Sequence, residues 1–422
     1  MINSKLMKNE KIVNILGILL FFSLVVGFLI SEDTLGAAKH DYEHHKKFII
    51  LFAENFFGTF QNYGSGDLHT RNSPVYYIFL SLFFKSGATL ELIRYLNFIS
   101  LFFISYFFYE CLKIKFNDIN RYTLKLFVLL IFLSPTVRSL IIWPYPMLYA
   151  LIFFLITVKY YLLFNNSKKN KLRYSLLCTF FLALTSYITP NFSVFVIFFI
   201  YKFFLEFKFS KSFIYILFLN LILSIPAFFY YYTFDFYFMN YSVTGVDKSL
   251  QFNFFNKIIL IISLIGFYIL PFLSKNFLKR ILDEIKNFKD NKILITFCIL
   301  SILLFNFPDG LGFGGGIFFH LSHKLFSNNL FLFLIFFIFI YFFKAFNLIN
   351  FNNMIIFICL NLYNAQTSVY HKYFDPLLIF IFLFLMSFKN SKIKIDLSSI
   401  SKKYLALYAF FLCISYFKVY LN

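Results

Sequence analysis

Two carboxylates and three imidazoles lie within one short run near the amino terminus, which reads His-Asp-Tyr-Glu-His-His at residues 40–45. A carboxylate can take a proton from a hydroxyl group as a general base, and an imidazole can exchange a proton or bind a metal ion. This grouping favours a reaction centre. Asp41 and Glu43 are its two candidate catalytic carboxylates, and His44 and His45 are candidate binding residues.

The role of each carboxylate depends on the local backbone. In a helix, Asp41 and His45 share a face at i, i+4, whereas Glu43 points elsewhere and meets Lys47 four residues on. In an extended segment, Asp41, Glu43 and His45 share one face by the period of two. The helical geometry favours Asp41 as the base, and the extended geometry returns Glu43 to the site.

The spacing of His40 and His44 imitates the His-x-x-x-His motif of metallopeptidases, with Asp41 where the general-base Glu is expected. Intramembrane metallopeptidases bury that motif in a helix and supply a distant third ligand, whereas this run follows an apolar segment in a polar loop. We therefore do not predict a peptidase. No cofactor is predicted with certainty, although Asp41 and an imidazole could hold a divalent cation as a helper.

The composition excludes a water-soluble globular protein. The 422 residues are 60% hydrophobic and 14% charged, with a mean hydropathy of +0.75. The net charge of +20 arises largely from Lys residues in short loops between apolar runs, a pattern that sets membrane orientation, so we predict no nucleic-acid partner. The five Cys lie in or beside apolar stretches without the paired spacing of a disulfide framework or a zinc site. We predict an all-α, polytopic integral membrane protein, embedded in the lipid bilayer as a single domain, residues 1–422.

A membrane span needs about 20 apolar residues, and about thirteen runs approach this length. The first follows the basic start Lys5, Lys8 and Lys11 and is predicted to be a retained helix. The segment 74–87 is too short, so we expect it to dip into the membrane and return, or to form a broken helix with the next span. The predicted crossings are 12–30, 92–112, 124–142, 147–163, 172–188, 192–205, 213–231, 258–273, 293–307, 330–343, 354–363, 377–388 and 404–420.

With the amino terminus in the cytoplasm, the most basic loops all become cytoplasmic, as the positive-inside rule requires. All seven His residues then lie in loops on the outer face, which favours an active site there. In the first outer loop, 31–73, the apolar segment 48–60 has polar interruptions and predicts an interfacial helix.

Several cations could bind an anionic group on the same face. His69 and Arg71 precede the short segment at Pro74, and Arg94 and Arg138 lie near the outer ends of their predicted helices. An Arg in a membrane is costly and its planar guanidinium suits a phosphate, although snorkelling to the interface is the alternative. Later outer loops add the remaining candidates, which are His320, His323, Lys324, His371 and Lys372.

Three features resemble the GT-C superfamily of membrane glycosyltransferases, which use polyprenyl-phosphate sugars as donors. They are the acidic motif beyond the first helix, the His-Thr-x-x-Ser-Pro-x-Tyr-Tyr run at 69–77, and Leu-Ile-Arg-Tyr-Leu-Asn at 92–97. Within it, the chain is most similar to the dolichyl-phosphoglucose-dependent α-1,2-glucosyltransferase family. Asp41 with His44 or His45 matches the family's Asp-Glu-x-Phe-His, and residues 70–77 match its Thr-Thr-x-Pro-Gly-Leu-Tyr.

Later motifs extend this resemblance over most of the chain as a pattern of spans and loops. The Gly-rich run 314–316 with His320 and His323 resembles the family's Gly-rich, His-containing loop, and residues 187–191 resemble its Arg-Gln-Thr-Asn motif. The chain differs in that Tyr42 separates the two acids and the Arg of the latter motif is absent. The donor sugar and the linkage therefore stay open.

The resemblance implies an inverting transfer of a hexose such as glucose from a polyprenyl-phosphate donor to a glycan or glycolipid acceptor on the outer face. Asp41, or else Glu43, would take the proton of the acceptor hydroxyl. The alternatives are a polysaccharide polymerase or ligase, and a lipid-linked sugar flippase or transporter. A transporter is expected to show ionisable residues at mid-membrane and an internal repeat, which the sequence lacks.

Overall fold

The computed structural model describes residues 2–34, 37–63, 68, 72–234, 253–273, 275–286, 291–308, 314–364, 368–387 and 397–420. The described residues are all-helical, with an isolated β-bridge between Gly314 and Val369. The chain divides into two compact units. Unit 1 comprises Met1–Tyr237 and Leu397–Asn422, and unit 2 comprises Phe238–Asp396.

Unit 1 contains twelve of the described α-helices, followed in chain order below. They are α1 (Ile2–Leu29), α2 (Ala38–Glu54), α3 (Phe56–Gln61), α4 (Pro74–Lys85), α5 (Leu90–Lys115), α6 (Arg121–Leu133), α7 (Pro135–Ile142), α8 (Pro146–Asn166), α9 (Lys171–Ile188), α10 (Val196–Phe207), α11 (Lys211–Phe234) and, from the end of the chain, α19 (Leu397–Tyr420).

Unit 2 contains the other described α-helices. They are α12 (Phe254–Ile269), α13 (Lys275–Lys286), α14 (Lys292–Leu303), α15 (Gly316–Phe326), α16 (Leu330–Ala345), α17 (Phe351–Tyr363) and α18 (Leu377–Phe380), which continues into a π-helical turn at Ile381–Leu385.

Among the described residues, seven helices are long and apolar enough to cross a membrane, which is compatible with a multi-pass membrane protein. Four further apolar helices are shorter than a span, and the predicted number of thirteen is not confirmed. One of the four is α4, which has 12 residues and covers the segment that the sequence predicted to be too short to cross.

The predicted span 124–142 is two helices, because α6 and α7 are bent by 62° at the break between them. Pro135 has no N–H to donate and its ring disfavours a helical conformation at Ser134, so the first helix ends there. Ser134 then starts the second helix, since its side chain accepts a hydrogen bond of 3.1 Å from Val137 N. The broken pair could still serve as an eighth span.

The run 40–45 is helical, because α2 begins at Ala38 and extends to Glu54. The segment predicted as one interfacial helix, 48–60, is the second half of α2 followed by α3, with Asn55 between them capping α3 through a 3.0 Å bond from Gly58 N. The apolar face of α2 packs against α4, which buries the side chains Phe48, Ile49, Phe52, Tyr76, Tyr77 and Leu80. This face is therefore covered by protein, and its relation to a membrane surface stays a prediction.

Candidate functional site

The helical backbone of α2 places Asp41 and His45 one turn apart on the same side. Asp41 is half-buried, and His45 is buried with 3% of its surface exposed. Glu43 lies on the exposed side and forms an ion pair with Lys46, three residues on. Of the two local geometries compatible with the sequence, the structure has the helical one, in which Glu43 does not share the face of Asp41 and His45.

His45 is fixed by Tyr77 of α4. Its Nδ1 lies 2.5 Å from the Tyr77 hydroxyl oxygen, and the two rings lie 5.4 Å apart. Asn72 Nδ2 donates to the same hydroxyl at 3.1 Å, and the edge of Tyr145 packs on the imidazole with the centroids 4.9 Å apart. Because Tyr77 is itself fully buried, the imidazole and the phenol form an ordered pair one helical turn from the half-buried Asp41.

Arg94 of α5 lies between two aromatic rings rather than in open solvent. Its guanidinium carbon is 4.9 Å from the centroid of Phe28 and 4.4 Å from that of Trp143. Its Nη1 donates to both carboxylate oxygens of Glu91, at 2.9 and 3.1 Å. Nη2 is buried and has no hydrogen-bond partner among the residues that the structure describes. That nitrogen is the donor of Arg94 which could serve an anionic ligand, provided that the surrounding rings move.

Tyr42 of α2 connects the run 40–45 to this aromatic cluster. Its ring lies 5.9 Å from Trp143, and the Lys39 ammonium is 5.7 Å from the same indole. Burial raises the pKa of Tyr42 to about 12, so the phenol stays neutral at physiological pH. Asp41, Tyr42, His45 and Arg94 thus belong to one region of unit 1.

Arg138 of α7 has a different environment from the one its sequence position suggested. It forms two parallel bonds with Glu32, and its remaining donors reach Ser23 Oγ at 3.0 Å, the Phe132 carbonyl at 3.2 Å and the Tyr416 hydroxyl at 3.3 Å. The guanidinium is buried with all three nitrogens engaged. We therefore leave Arg138 out of the proposed phosphate-binding set.

The residues 32–34, which the sequence analysis did not single out, anchor the start of the first loop. Trp143 Nε1 donates to the Glu32 carbonyl at 2.9 Å, and the Thr34 hydroxyl donates to the Pro135 carbonyl at 2.7 Å. Asp33 Oδ2 accepts from the backbone N–H of Lys39 at 3.0 Å, in the first turn of α2. The sequence signal for this anchor is an acid pair directly after an apolar helix.

Two predicted binding residues of the first loop, His69 and Arg71, lie outside the described residues. Five others belong to unit 2. His371 Nε2 lies 2.7 Å from the Tyr268 hydroxyl, which also donates at 3.2 Å to Asp375, a carboxylate with no exposed surface. Lys372 is half-buried, with its ammonium 5.8 Å from the ring centroids of both Tyr370 and Tyr373. Tyr268 and Asp375, which contact each other and His371 through the Tyr268 hydroxyl, were not among the predicted site residues.

The other three predicted residues of unit 2 lie on α15. His323 Nε2 is 2.8 Å from Asn329 Oδ1 and its ring packs on Phe319, whereas His320 is half-buried and Lys324 is exposed. The glycines before this helix are fixed, because Gly315 N donates to the Val369 carbonyl at 2.8 Å. The described part of the Gly-rich run, 314–316, is therefore a turn held by the backbone of Val369.

No group of three or more His, Cys, Asp or Glu side chains that could hold a metal ion occurs within the described ranges. A divalent cation thus stays a prediction from the sequence. Comparison of the chain with protein-family models, curated proteins and solved structures finds no match.

Proposed function

We propose that the chain is an inverting membrane glycosyltransferase that moves a hexose from a polyprenyl-phosphate donor to a lipid-linked oligosaccharide or surface glycan. The observation that supports this most is the pairing of half-buried Asp41 with buried His45 on one side of α2. A carboxylate in that position can accept the proton of an acceptor hydroxyl while the hydroxyl oxygen attacks the anomeric carbon. The lipid phosphate leaves with the bonding electron pair.

The ordered His45–Tyr77 pair supports Asp41 as the base instead of Glu43. Glu43 is exposed and ion-paired with Lys46, so it is screened by water and by its partner. Asp41 instead shares its side of α2 with His45, which Tyr77 holds in a packed core, so the backbone that carries Asp41 is held in place for an acceptor hydroxyl. His44 is exposed beside them and would contact the same ligand.

In unit 1, the cations proposed to bind the leaving phosphate are Arg94 and, outside the described residues, His69 and Arg71. The candidates of unit 2, which are His320, His323, Lys324, His371 and Lys372, stay predictions from the sequence. We also propose that the thirteen predicted spans, which do not include α4, all cross the membrane and that the site faces the outer side. In a bacterium, the membrane would be the inner membrane.

Transfer of labelled glucose and mannose from polyprenyl-phosphate donors, measured in membranes that carry the protein, tests this proposal. Asp41→Asn should reduce the rate by about 10²- to 10⁴-fold, the usual contribution of a general base. Glu54→Gln is the matched control, because Glu54 is an exposed acid at the far end of the same helix. Glu43→Gln should retain most of the activity.

A loss with Glu43→Gln but not with Asp41→Asn would move the base by two residues. Transfer that neither change affects would exclude the proposed site. An absence of transfer with every donor, from protein that is present and folded, would contradict the donor class and favour the polymerase, ligase or transporter alternatives.

A further inference from the structure

The helix α13 is strongly amphipathic and lies where a chain would turn at a membrane surface. It directly follows the apolar segment Phe254–Phe272, which is long enough to cross a membrane, and it precedes the apolar helix α14. Six of its 12 residues are charged, so it cannot enter the hydrocarbon core. Its composition fits the membrane face at which Phe254–Phe272 would end.

One part of the apolar face of α13 packs on its own unit. Ile281 is buried, and α13 contacts α16. Glu284 forms an ion pair of 2.9 Å with Lys344, in the last turn of α16. The polar end of α16 and the acidic side of α13 therefore meet, and this side of the helix is occupied.

The other part of the apolar face is open. Leu278 is 49% exposed and Leu282 is 56% exposed, one turn apart on the same side. At about 100° per residue, Lys286 follows about 40° beyond Leu282 around the helix, and Lys279 about 60° beyond it. Both lysines are exposed. Two leucines bordered by two lysines fit the boundary between acyl chains and anionic headgroups, because the leucines gain from burial and the lysines from charge.

We propose that α13 is an interfacial helix that binds anionic lipids, with Leu278 and Leu282 at the acyl boundary and Lys279 and Lys286 on the headgroups. Charge complementarity and the order of apolar and basic side chains around the helix identify an anionic lipid surface as the occupant. This surface is independent of the glycosyl-transfer proposal, since no residue of the candidate site takes part in it.

Tryptophan fluorescence can test the proposal in full-length protein reconstituted with brominated lipids. The chain has one tryptophan, the buried Trp143, whose signal in the parent protein gives the background. Leu282→Trp should be quenched strongly, whereas Asp283→Trp, at the adjacent exposed position, should be quenched several-fold less. Leu278→Trp provides an equivalent probe if Leu282→Trp does not fold.

Lipid preference is measured with the same probe by comparing brominated phosphatidylglycerol with brominated phosphatidylcholine. The anionic lipid should quench at a lower mole fraction, and Lys279→Gln and Lys286→Gln should each weaken that preference by about fivefold. Quenching by both lipids equally would overturn the binding of anionic lipid. A tryptophan at 282 that emits as if in water and resists both quenchers would overturn the interfacial position as well.

Discussion

Glu32 and Arg138 face each other in a parallel, two-bonded pair. Arg138 Nε lies 2.7 Å from Oε1 of Glu32, and Nη2 lies 2.7 Å from Oε2, with 1% and 2% of the two side chains exposed. Glu32 follows α1 and Arg138 belongs to α7, so the ion pair joins the start of the first loop to the second helix of the broken pair α6 and α7. A buried charge is stable here only because its partner is present.

Removal of one partner should therefore destabilise the protein more than removal of both. Arg138→Met leaves an unpaired buried carboxylate and should cost about 3–5 kcal/mol, whereas Glu32→Leu combined with Arg138→Met should recover most of that loss. Thermal unfolding in detergent, with activity measured beside it, compares the three proteins. A single variant within about 1 kcal/mol of the parent would show that the pair is not buried in the folded protein.

The neighbouring tyrosines of α4 provide a matched test of the contact that fixes His45. Tyr77→Phe removes the hydroxyl that lies 2.5 Å from His45 Nδ1, but keeps the ring that stacks on Phe48. It should cost about 1 kcal/mol or more, because buried polar atoms lose their partner. It should also lower the rate of sugar transfer.

Tyr76→Phe is the control, since the Tyr76 hydroxyl is buried and has no hydrogen-bond partner in the described structure. This change should be neutral or slightly stabilising. Urea unfolding of both variants compares the free energies. Equal costs would mean that the hydroxyl of Tyr77 contributes nothing beyond its ring.

The sequence predicts some of these features but not the contacts between residues far apart in the chain. The apolar runs and the polar first loop predict a helical membrane protein. The dipeptide Ser134-Pro135 predicts a helix break, but the hydropathy of 124–142 does not indicate it. The pairing of Glu32 with Arg138 joins residues 106 apart in the chain, and no local pattern predicts such a contact. The sequence therefore indicated that Arg138 is a charge in an apolar segment, but not that this charge pairs with Glu32.

The same limit applies to His45. The i, i+4 spacing of Asp41 and His45 predicts that they share a helix face, and the structure confirms this. The burial of His45 against Tyr77 depends instead on how α4 packs on α2. Sequence reasoning treats every polar residue of a loop as accessible. His45 is only 3% exposed, and its imidazole is held by the Tyr77 hydroxyl.

Tyr42 predicts a dependence of stability on alkaline pH. Burial raises its pKa from 10.0 to about 12, so the folded protein holds the phenolic proton more tightly than the unfolded chain. This contribution is fully present below pH 10 and is lost as the pH rises through 12. It amounts to at most about 3 kcal/mol, from about 1.4 kcal/mol for each pKa unit.

The measurement is urea unfolding at pH 8 and at pH 11 for the parent and for Tyr42→Phe. Because lysines also lose charge in this range, the quantity of interest is the difference between the two proteins. The parent should lose more stability between the two pH values than Tyr42→Phe does. Parallel losses would show that the phenol is solvated in the folded state.

The glycine turn before α15 should be far less tolerant of a side chain than another glycine of similar backbone conformation. Gly314 has φ +83° and Gly87 has φ +96°, so alanine is strained at both, by about 1–2 kcal/mol. A Cβ at Gly87 meets nothing within 4 Å, whereas a Cβ at Gly314 would lie 2.4 Å from the Val369 carbonyl oxygen. Backbone atoms cannot move aside as a flexible side chain can. Gly314→Ala should therefore break the hydrogen bond from Gly315 N to Val369 and displace the turn that holds His371.

The free energy of unfolding should fall by at least about 2 kcal/mol more for Gly314→Ala than for Gly87→Ala, because only the former adds a backbone clash to the strain. Hydrogen exchange of the Gly315 amide gives a second measurement, since the loss of its acceptor should speed exchange in Gly314→Ala alone. If the two alanine variants were equally stable and protected the Gly315 amide equally, the turn would be able to accommodate a Cβ at residue 314 despite its close contact with Val369.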